Sequence, residues 1–406
     1  MEKHLIPSRR GRPGNDPIFA LAKAAAERKA AGHDVINGTL GVLMDDEGKL
    51  VVLQTVTRAL REAKAEELAS YAPIAGAPAF LEAVKAEVTA GAPALRARAI
   101  AVATAGGTGA IRHAITTFVS DGEAFLTTSF YWSPYQTIAV EHGRKLETFA
   151  MFDAAGVFDV AALDRALGAL IAQQGRAMVL LNDPCHNPTG YSMSDADWQR
   201  VCAVLAKHGA SAPVSLVLDI AYAAFVEGSL ARPIAALAAI ADRVLIGFCW
   251  SASKTFLAYG QRVGALIVIP PDAADGADLE ASLAFSCRGV WSNCNHAGMA
   301  AFARLLVDPA QRGSVDAERR GASDLLALRV AAWNEAARPL GLRFPRYEGG
   351  FFVTVESADP KAHAAALRER DAFVVPLQTS LRVALCSVGT RHVAPLAKAI
   401  AHVVGG

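Results

Sequence analysis

The sequence predicts an α/β fold in which a large domain, built on a mostly parallel sheet between helices, is joined by a smaller α+β domain. Three observations carry this expectation. From about residue 98 strand-like apolar runs alternate with helical stretches, beyond Cys294 the pattern turns helical before short strands return, and 406 residues at 52% hydrophobic content exceed one ordinary core.

The elements follow in chain order. Asp16-Pro17, followed by Ile18, Leu21 and Ala24, reads as an N-cap, a proline in the first turn and an amphipathic helix ending near Gly32. A short apolar strand then leads to Asn37-Gly38. Strand-like runs occupy Ile100 to Thr104, Ala124 to Thr127, Met178 to Leu181, Val214 to Leu218, Val244 to Phe248 and Ala265 to Ile269. Continuous apolar runs of this kind suit strands buried on both faces, the usual state of a parallel sheet. A long helical stretch from Val315 to Leu340 meets no strong breaker until Pro339, and strand-like Phe351 to Val355, Phe373 to Val375 and Leu381 to Leu385 follow.

Charge and composition exclude several functions. Forty Lys and Arg against 39 Asp and Glu give no broad field for a nucleic-acid backbone or an anionic membrane. Met1 to Gly14 is basic and polar without the apolar run of a secretory signal, and charges interrupt every apolar segment before it reaches a membrane-spanning length. The six cysteines are scattered without a C-x-x-C pair, which predicts neither a metal site nor a disulfide framework and fits a reducing compartment. A cytoplasmic protein is expected.

Cofactor sites in open α/β sheets lie at the carboxyl ends of strands, so the polar residues after each run matter most. Gly106-Gly107-Thr108-Gly109 follows the first run and opens a helix at Ala110, a pattern that offers backbone N–H groups and a hydroxyl to a phosphate. Arg112 stands where the third glycine of a dinucleotide fingerprint would be, which argues against a nicotinamide dehydrogenase. The Met178 run ends in Asn182-Asp183-Pro184-Cys185-His186-Asn187-Pro188-Thr189-Gly190, a loop dense in turn formers. Asp219 and Tyr222 follow the Val214 run; Ser251-Ala252-Ser253-Lys254 follows the Val244 run, with Arg262 eight residues later. An amide, a carboxylate with a phenol, and a lysine with two hydroxyls and a guanidinium thus gather at strand ends.

These motifs resemble those of the fold-type I pyridoxal-phosphate aminotransferases, class I, the aspartate and aromatic aminotransferase group. His186-Asn187-Pro188-Thr189-Gly190, Ser251-Ala252-Ser253-Lys254 and Gly260-Gln261-Arg262-Val263-Gly264 carry most of the likeness, supported by Tyr71 to Gly76, Asn37 to Gly48 and Leu381-Arg382-Val383 in family order. The resemblance implies a seven-stranded sheet in a large domain over residues 46–305, and a small domain formed by residues 1–45 and 306–406.

By the same resemblance Lys254 is the Schiff-base lysine, a role open to a buried amine whose charge is disfavoured by desolvation and neighbouring cations. Asp219 pairs with the pyridine nitrogen, Tyr222 and Asn187 bond the ring phenolate oxygen, and Trp132 stacks on the ring. Gly107, Thr108, Ser251, Ser253 and Arg262 hold the phosphate, with Tyr71 reaching the phosphate of a neighbouring subunit. Arg382 clamps the substrate α-carboxylate bidentately, and Gly41 and Leu40 line the substrate. Asn187 and Trp132 touch the substrate as well, and Arg288 takes the distal carboxylate of a dicarboxylic substrate across a homodimer with shared sites. Each residue type also has an ordinary use: a surface lysine, a turn asparagine, a capping serine, a core tryptophan, a structural salt bridge.

The implied function is transfer of an amino group from an aspartate-type or aromatic L-amino acid to 2-oxoglutarate in two half-reactions. Three departures from the aspartate enzymes bear on substrate range. Gly106 replaces a serine near the phosphate, Ser133-Pro134-Tyr135 follows Trp132 where an asparagine and a histidine often support the substrate arginine and the aspartate, and Cys294-Asn295 replaces a Pro-Pro pair. A β-lyase or decarboxylase on the same scaffold is the enzymatic alternative. A cofactor-binding regulator domain is the non-enzymatic one, and the fifteen or so residues before the first helix leave no room for a DNA-binding module.

Overall fold

The structure, a computed structural model, describes residues 4–14, 17–226 and 230–405. Their strands are, in chain order, β1 (Ile36–Asn37), β2 (Ile100–Ala105), β3 (Ala124–Thr128), β4 (Lys145–Phe149), β5 (Ala177–Asn182), β6 (Val214–Asp219), β7 (Val244–Ser251), β8 (Val263–Ile269), β9 (Phe352–Glu356), β10 (Ala372–Phe373), β11 (Val375–Pro376) and β12 (Ser380–Ala384). Seven of them form one sheet in the order β2-β8-β7-β6-β5-β3-β4. All neighbours in it are parallel except the pairs that involve β8, which runs against the other six.

Side-chain alternation divides the central strands between two apolar layers. Met178 and Leu180 of β5 join Val217, Ile111, Ile115 and Leu283 on one face, whereas Val179 and Leu181 join Leu216, Leu218, Leu163, Leu167, Val201 and Leu205 on the other. All of these are essentially inaccessible to solvent. Each fully buried aliphatic side chain contributes about 1.5–3 kcal/mol, so the two layers explain why these runs are apolar almost throughout, Ser215 of β6 being only partly buried.

The smaller sheets lie where the chain beginning meets the chain end. β1 pairs in parallel with β10, placing Ile36 opposite Ala372, and β11, β12 and β9 form an antiparallel sheet in which Arg382 faces Thr354. The 29-residue helix Pro309–Ala337 starts at a proline behind Asp308, whose carboxylate accepts the N–H groups of Ala310 and Gln311. No helix among the described residues is long and apolar enough to cross a membrane.

Several boundaries differ from the sequence expectation for physical reasons. β4 was absent from the apolar runs because it is an edge strand, with Lys145 and Glu147 exposed, and edges carry charge that discourages further pairing. The helix after β2 begins at Gly106 and not at Ala110, so the glycine turn is itself the first helical turn. The run Phe373 to Val375 is divided between β10 and β11 as the chain passes from one small sheet to the other. The long helix starts earlier than Val315 and stops at Ala337, ahead of Pro339, because proline has no N–H with which to continue the helical hydrogen bonds. The predicted N-cap Asp16 lies outside the described residues.

Candidate active site

The register of the large sheet assembles a polar edge. Asn182 and Asp219, at the ends of β5 and β6, stand side by side with Cys249, two residues before the end of β7. Because β8 is antiparallel, its first residues abut the ends of β2 and β7, with Gly264 opposite both Thr104 and Ser251. Arg262, immediately before β8, therefore arrives at the same edge as residues that follow strands.

Lys254 lies in the short helical turn Ala252–Thr255, which Ser251 opens by accepting the Ser253 N–H at 3.2 Å. Its Nζ donates to the Gly41 carbonyl and sits among aromatic rings, 4.6 Å from the centroid of Tyr259, 5.0 Å from Phe351 and 5.7 Å from Tyr222. Burial pushes the amine down to about 8, with Arg382 and Arg262 acting in the same direction and Cys386 and Asp219 opposing. A useful fraction of it is uncharged near neutral pH, the form a nucleophile needs.

Asp219 is buried, and burial pushes its carboxyl up to about 6 against hydrogen bonds that favour the ionised form. Those bonds come from Tyr135, whose hydroxyl donates to Oδ2 at 2.7 Å, and from the Ala221 N–H, which donates to Oδ1 at 3.2 Å. Asn182 donates to the Asp219 carbonyl at 2.8 Å and accepts the Asn187 N–H at 2.6 Å, linking two neighbouring strand ends. Asn187 Nδ2 in turn donates to the Tyr222 hydroxyl at 3.3 Å. Burial, with Asp219 nearby, pushes the Tyr222 phenol upward, so it stays a neutral donor. Half-buried Trp132 presents its ring to the edge of Tyr135 at 5.6 Å and 86°.

A second set of donors surrounds the start of helix Gly106–Phe118, where the first N–H groups of a helix lack partners within it. Gly107 leans on Ser251 so closely that a Cβ on it would be 3.2 Å from the Ser251 Cβ, and Thr108 is exposed beside it. Arg262 Nη1 donates to Ser253 Oγ and to the Tyr259 carbonyl, both at 3.0 Å. Backbone N–H groups, two serines, a threonine and a guanidinium converge here, a donor set suited to a phosphate dianion.

The third part of the site joins the segment around residues 39–41 to β12. Arg382 is buried, stacks its guanidinium 4.7 Å from the centre of the Phe352 ring, and donates from Nη2 to the Thr39 carbonyl at 2.8 Å. Lys254 and Arg382 are thus tethered to carbonyls two residues apart. Gly41 allows this closeness, since a Cβ there would stand 2.6 Å from Cζ of Phe352. Leu40 accepts the Cys386 thiol at its carbonyl, at 3.5 Å.

Two residues singled out from the sequence stand apart. Tyr71 is 89% exposed, and Arg288 is exposed at the end of helix Gly276–Val290 with its guanidinium on the Ser292 hydroxyl. Neither bonds the Lys254 cluster among the described residues. Conversely, Tyr135, Asn182 and Tyr259 belong to the cluster but were not proposed as site residues. The sequence signal for Tyr135 was its place three positions after Trp132, and for Asn182 its place at the end of an apolar run.

The site suits pyridoxal phosphate: an amine that can lose its proton, a buried carboxylate, a paired amide and phenol, and a phosphate-type donor set. Comparison with known proteins agrees. The sequence model described as aminotransferase class I and II matches residues 33–400. The aromatic-amino-acid aminotransferase of Pseudomonas aeruginosa is 31% identical over 96% of this chain and 97% of its own length. A crystal structure of an aminotransferase from Anaerococcus prevotii covers 100% of both chains with a TM-score of 0.94 at 30% identity. The aromatic-amino-acid aminotransferase of Burkholderia pseudomallei, determined covalently bound to pyridoxal phosphate, covers 98% of this chain and 99% of its own with a TM-score of 0.79 at 25% identity. The chain belongs to the class I and II aminotransferases, and is a fold-type I transaminase that uses pyridoxal phosphate.

Proposed function

We propose that this transaminase moves the amino group of an aspartate-type or aromatic L-amino acid to 2-oxoglutarate in a ping-pong sequence, from an active site centred on Lys254. The observation that carries the reading is the convergence on one enclosure of Lys254, just after β7, Asp219, at the end of β6, and Arg382, within β12.

When bound, the cofactor supplies an electron sink for the carbanion formed at the substrate α-carbon. Lys254 Nζ would hold it covalently, and as a free amine would accept a proton at the substrate α-carbon. Asp219 keeps a proton on the ring nitrogen; Tyr222 and Asn187 hold the charge on the ring oxygen; Trp132 covers one face. The N–H groups of Gly107 and Thr108, with Ser251, Ser253 and Arg262, bind the phosphate. Arg382 turns from Thr39 to the substrate α-carboxylate, whose geometry matches a bidentate guanidinium. Gly41 and Leu40 bound the side-chain pocket.

Residues 46–305 form the large domain in this reading, with 1–45 and 306–406 as the small one. A homodimer completes the site, Tyr71 reaching the neighbour's phosphate and Arg288 its substrate's distal carboxylate. The exposure of both residues supports this, since each side chain is open to a neighbouring molecule. A panel of amino acids assayed with and without 2-oxoglutarate tests the reading. Oxo-acid formation that requires the acceptor is expected, whereas product without an acceptor favours a lyase or decarboxylase. Dicarboxylate turnover unchanged in Arg288→Ala removes the role given to Arg288.

A further inference from the structure

We propose that Tyr135 is a positioning residue that fixes both the carboxylate and the indole with which this chain grips its cofactor ring, an inference that rests on the roles given above to Asp219 and Trp132. Tyr135 lies in the first turn of helix Pro134–Glu141 and is completely buried. Its hydroxyl holds Asp219 Oδ2 at 2.7 Å while the Ala221 N–H holds Oδ1 at 3.2 Å. Donors from two separate elements therefore fix the plane of the carboxylate, and each oxygen keeps a lone pair for a ring N–H.

The same residue is tied to Trp132 twice. Its backbone N–H donates to the Trp132 carbonyl at 2.9 Å, and its ring packs edge-on against the indole at 5.6 Å, with Tyr131 parallel to it on another side at 6.5 Å. A shift of Tyr135 would therefore displace the nitrogen contact and the face contact together. The other ionisable side chains near Asp219 are Tyr222, Cys249 and Lys254, and among the described residues Tyr135 is the side chain that donates to the carboxylate. Burial and the nearby Asp219 push its phenol far up, so the hydroxyl keeps its proton and donates throughout the working range. An imidazole in this place would change charge between about pH 5 and 8.

Tyr135→Phe keeps the ring against Trp132 and removes only the donor. The expected result is a dissociation constant for pyridoxal phosphate about tenfold higher, the size of one hydrogen bond to a charged group. The visible band of the bound cofactor should titrate at higher pH, because a ring nitrogen held less firmly as a cation withdraws less charge from the linkage to Lys254. Tyr135→Leu, which also removes the ring beside Trp132, should weaken binding further; equal affinity in the two variants overturns the indole half of the proposal. Tyr135→Phe within about twofold of wild type, with an unmoved band midpoint, overturns the carboxylate half. Wild-type protein and Lys254→Ala run alongside: a wild type without a band refutes the cofactor site and this proposal with it, whereas a wild-type band lost in Lys254→Ala leaves Tyr135 judged by its own variants.

Discussion

Gly106 and Arg262 share one space: a Cβ on Gly106 would stand 2.4 Å from Arg262 Nη2 and 2.8 Å from its Cζ. Gly106 also has φ +70°, a conformation in which a side chain is strained. The departure from serine at this position is therefore coupled to where the guanidinium lies. Gly106→Ser should displace Arg262 and raise the dissociation constant for pyridoxal phosphate about tenfold or more, in contrast to the gain expected from one more hydroxyl donor. A titration of cofactor-free protein checks this, and tighter binding would refute the coupling.

Asp219 predicts an opposition between stability and activity. Its carboxyl titrates near 6 in the folded chain, raised from 3.8 chiefly by burial. Between those values the folded chain holds the proton and the unfolded chain releases it, so this contribution to stability is present below the lower value and lost as pH rises through the upper one. Asp219→Asn removes the dependence. The unfolding midpoint of the cofactor-free variant should therefore gain on that of the wild type between pH 4.5 and 7, while turnover falls by about a hundredfold or more. A difference in midpoint that stays constant across that range contradicts the account.

Arg329 links the long helix to the segment proposed to face the substrate. Its side chain is wholly buried, with Nη2 on Asp46 Oδ1 at 2.8 Å and Nη1 on the Cys386 carbonyl at 2.9 Å. Asp46 also accepts the Thr390 N–H at 2.9 Å, and the Cys386 thiol reaches the Leu40 carbonyl. Arg329→Met keeps most of the volume and removes these bonds. It should cost about 2 kcal/mol of stability, chiefly from the lost hydrogen bonds, and raise KM for the amino-acid donor, as Leu40 and Gly41 lose support. Thermal unfolding and steady-state kinetics measure the two effects.

The fold was readable in the sequence where burial on both faces forces an apolar run, unbroken in Met178 to Leu181 and interrupted only by Ser215 in Val214 to Leu218. It was not readable at β4, whose edge position permits Lys145 and Glu147, nor in the direction of β8, which no residue encodes locally. That direction decides why Arg262, which precedes its strand, shares an edge with Asp219, which ends one. The site was legible through motifs whose residues are close in sequence. The bond from Tyr135 to Asp219 spans 84 positions and depends on sheet order, so the sequence marked the Ser133-Pro134-Tyr135 segment only as a departure near support for the aspartate, and not the bond itself. Neither Tyr71 nor Arg288 contacts the Lys254 cluster among the described residues of one chain, because their proposed work is on another.

Every role assigned above depends on which amine holds the cofactor. Reduction of the holoenzyme with borohydride, followed by peptide mapping, fixes that linkage and reads it directly. The account predicts a pyridoxyl group on the peptide containing Lys254 and none on that peptide when the protein is first saturated with an amino-acid donor. Label on a different lysine, or Lys254→Ala protein that still turns over substrate, would contradict it.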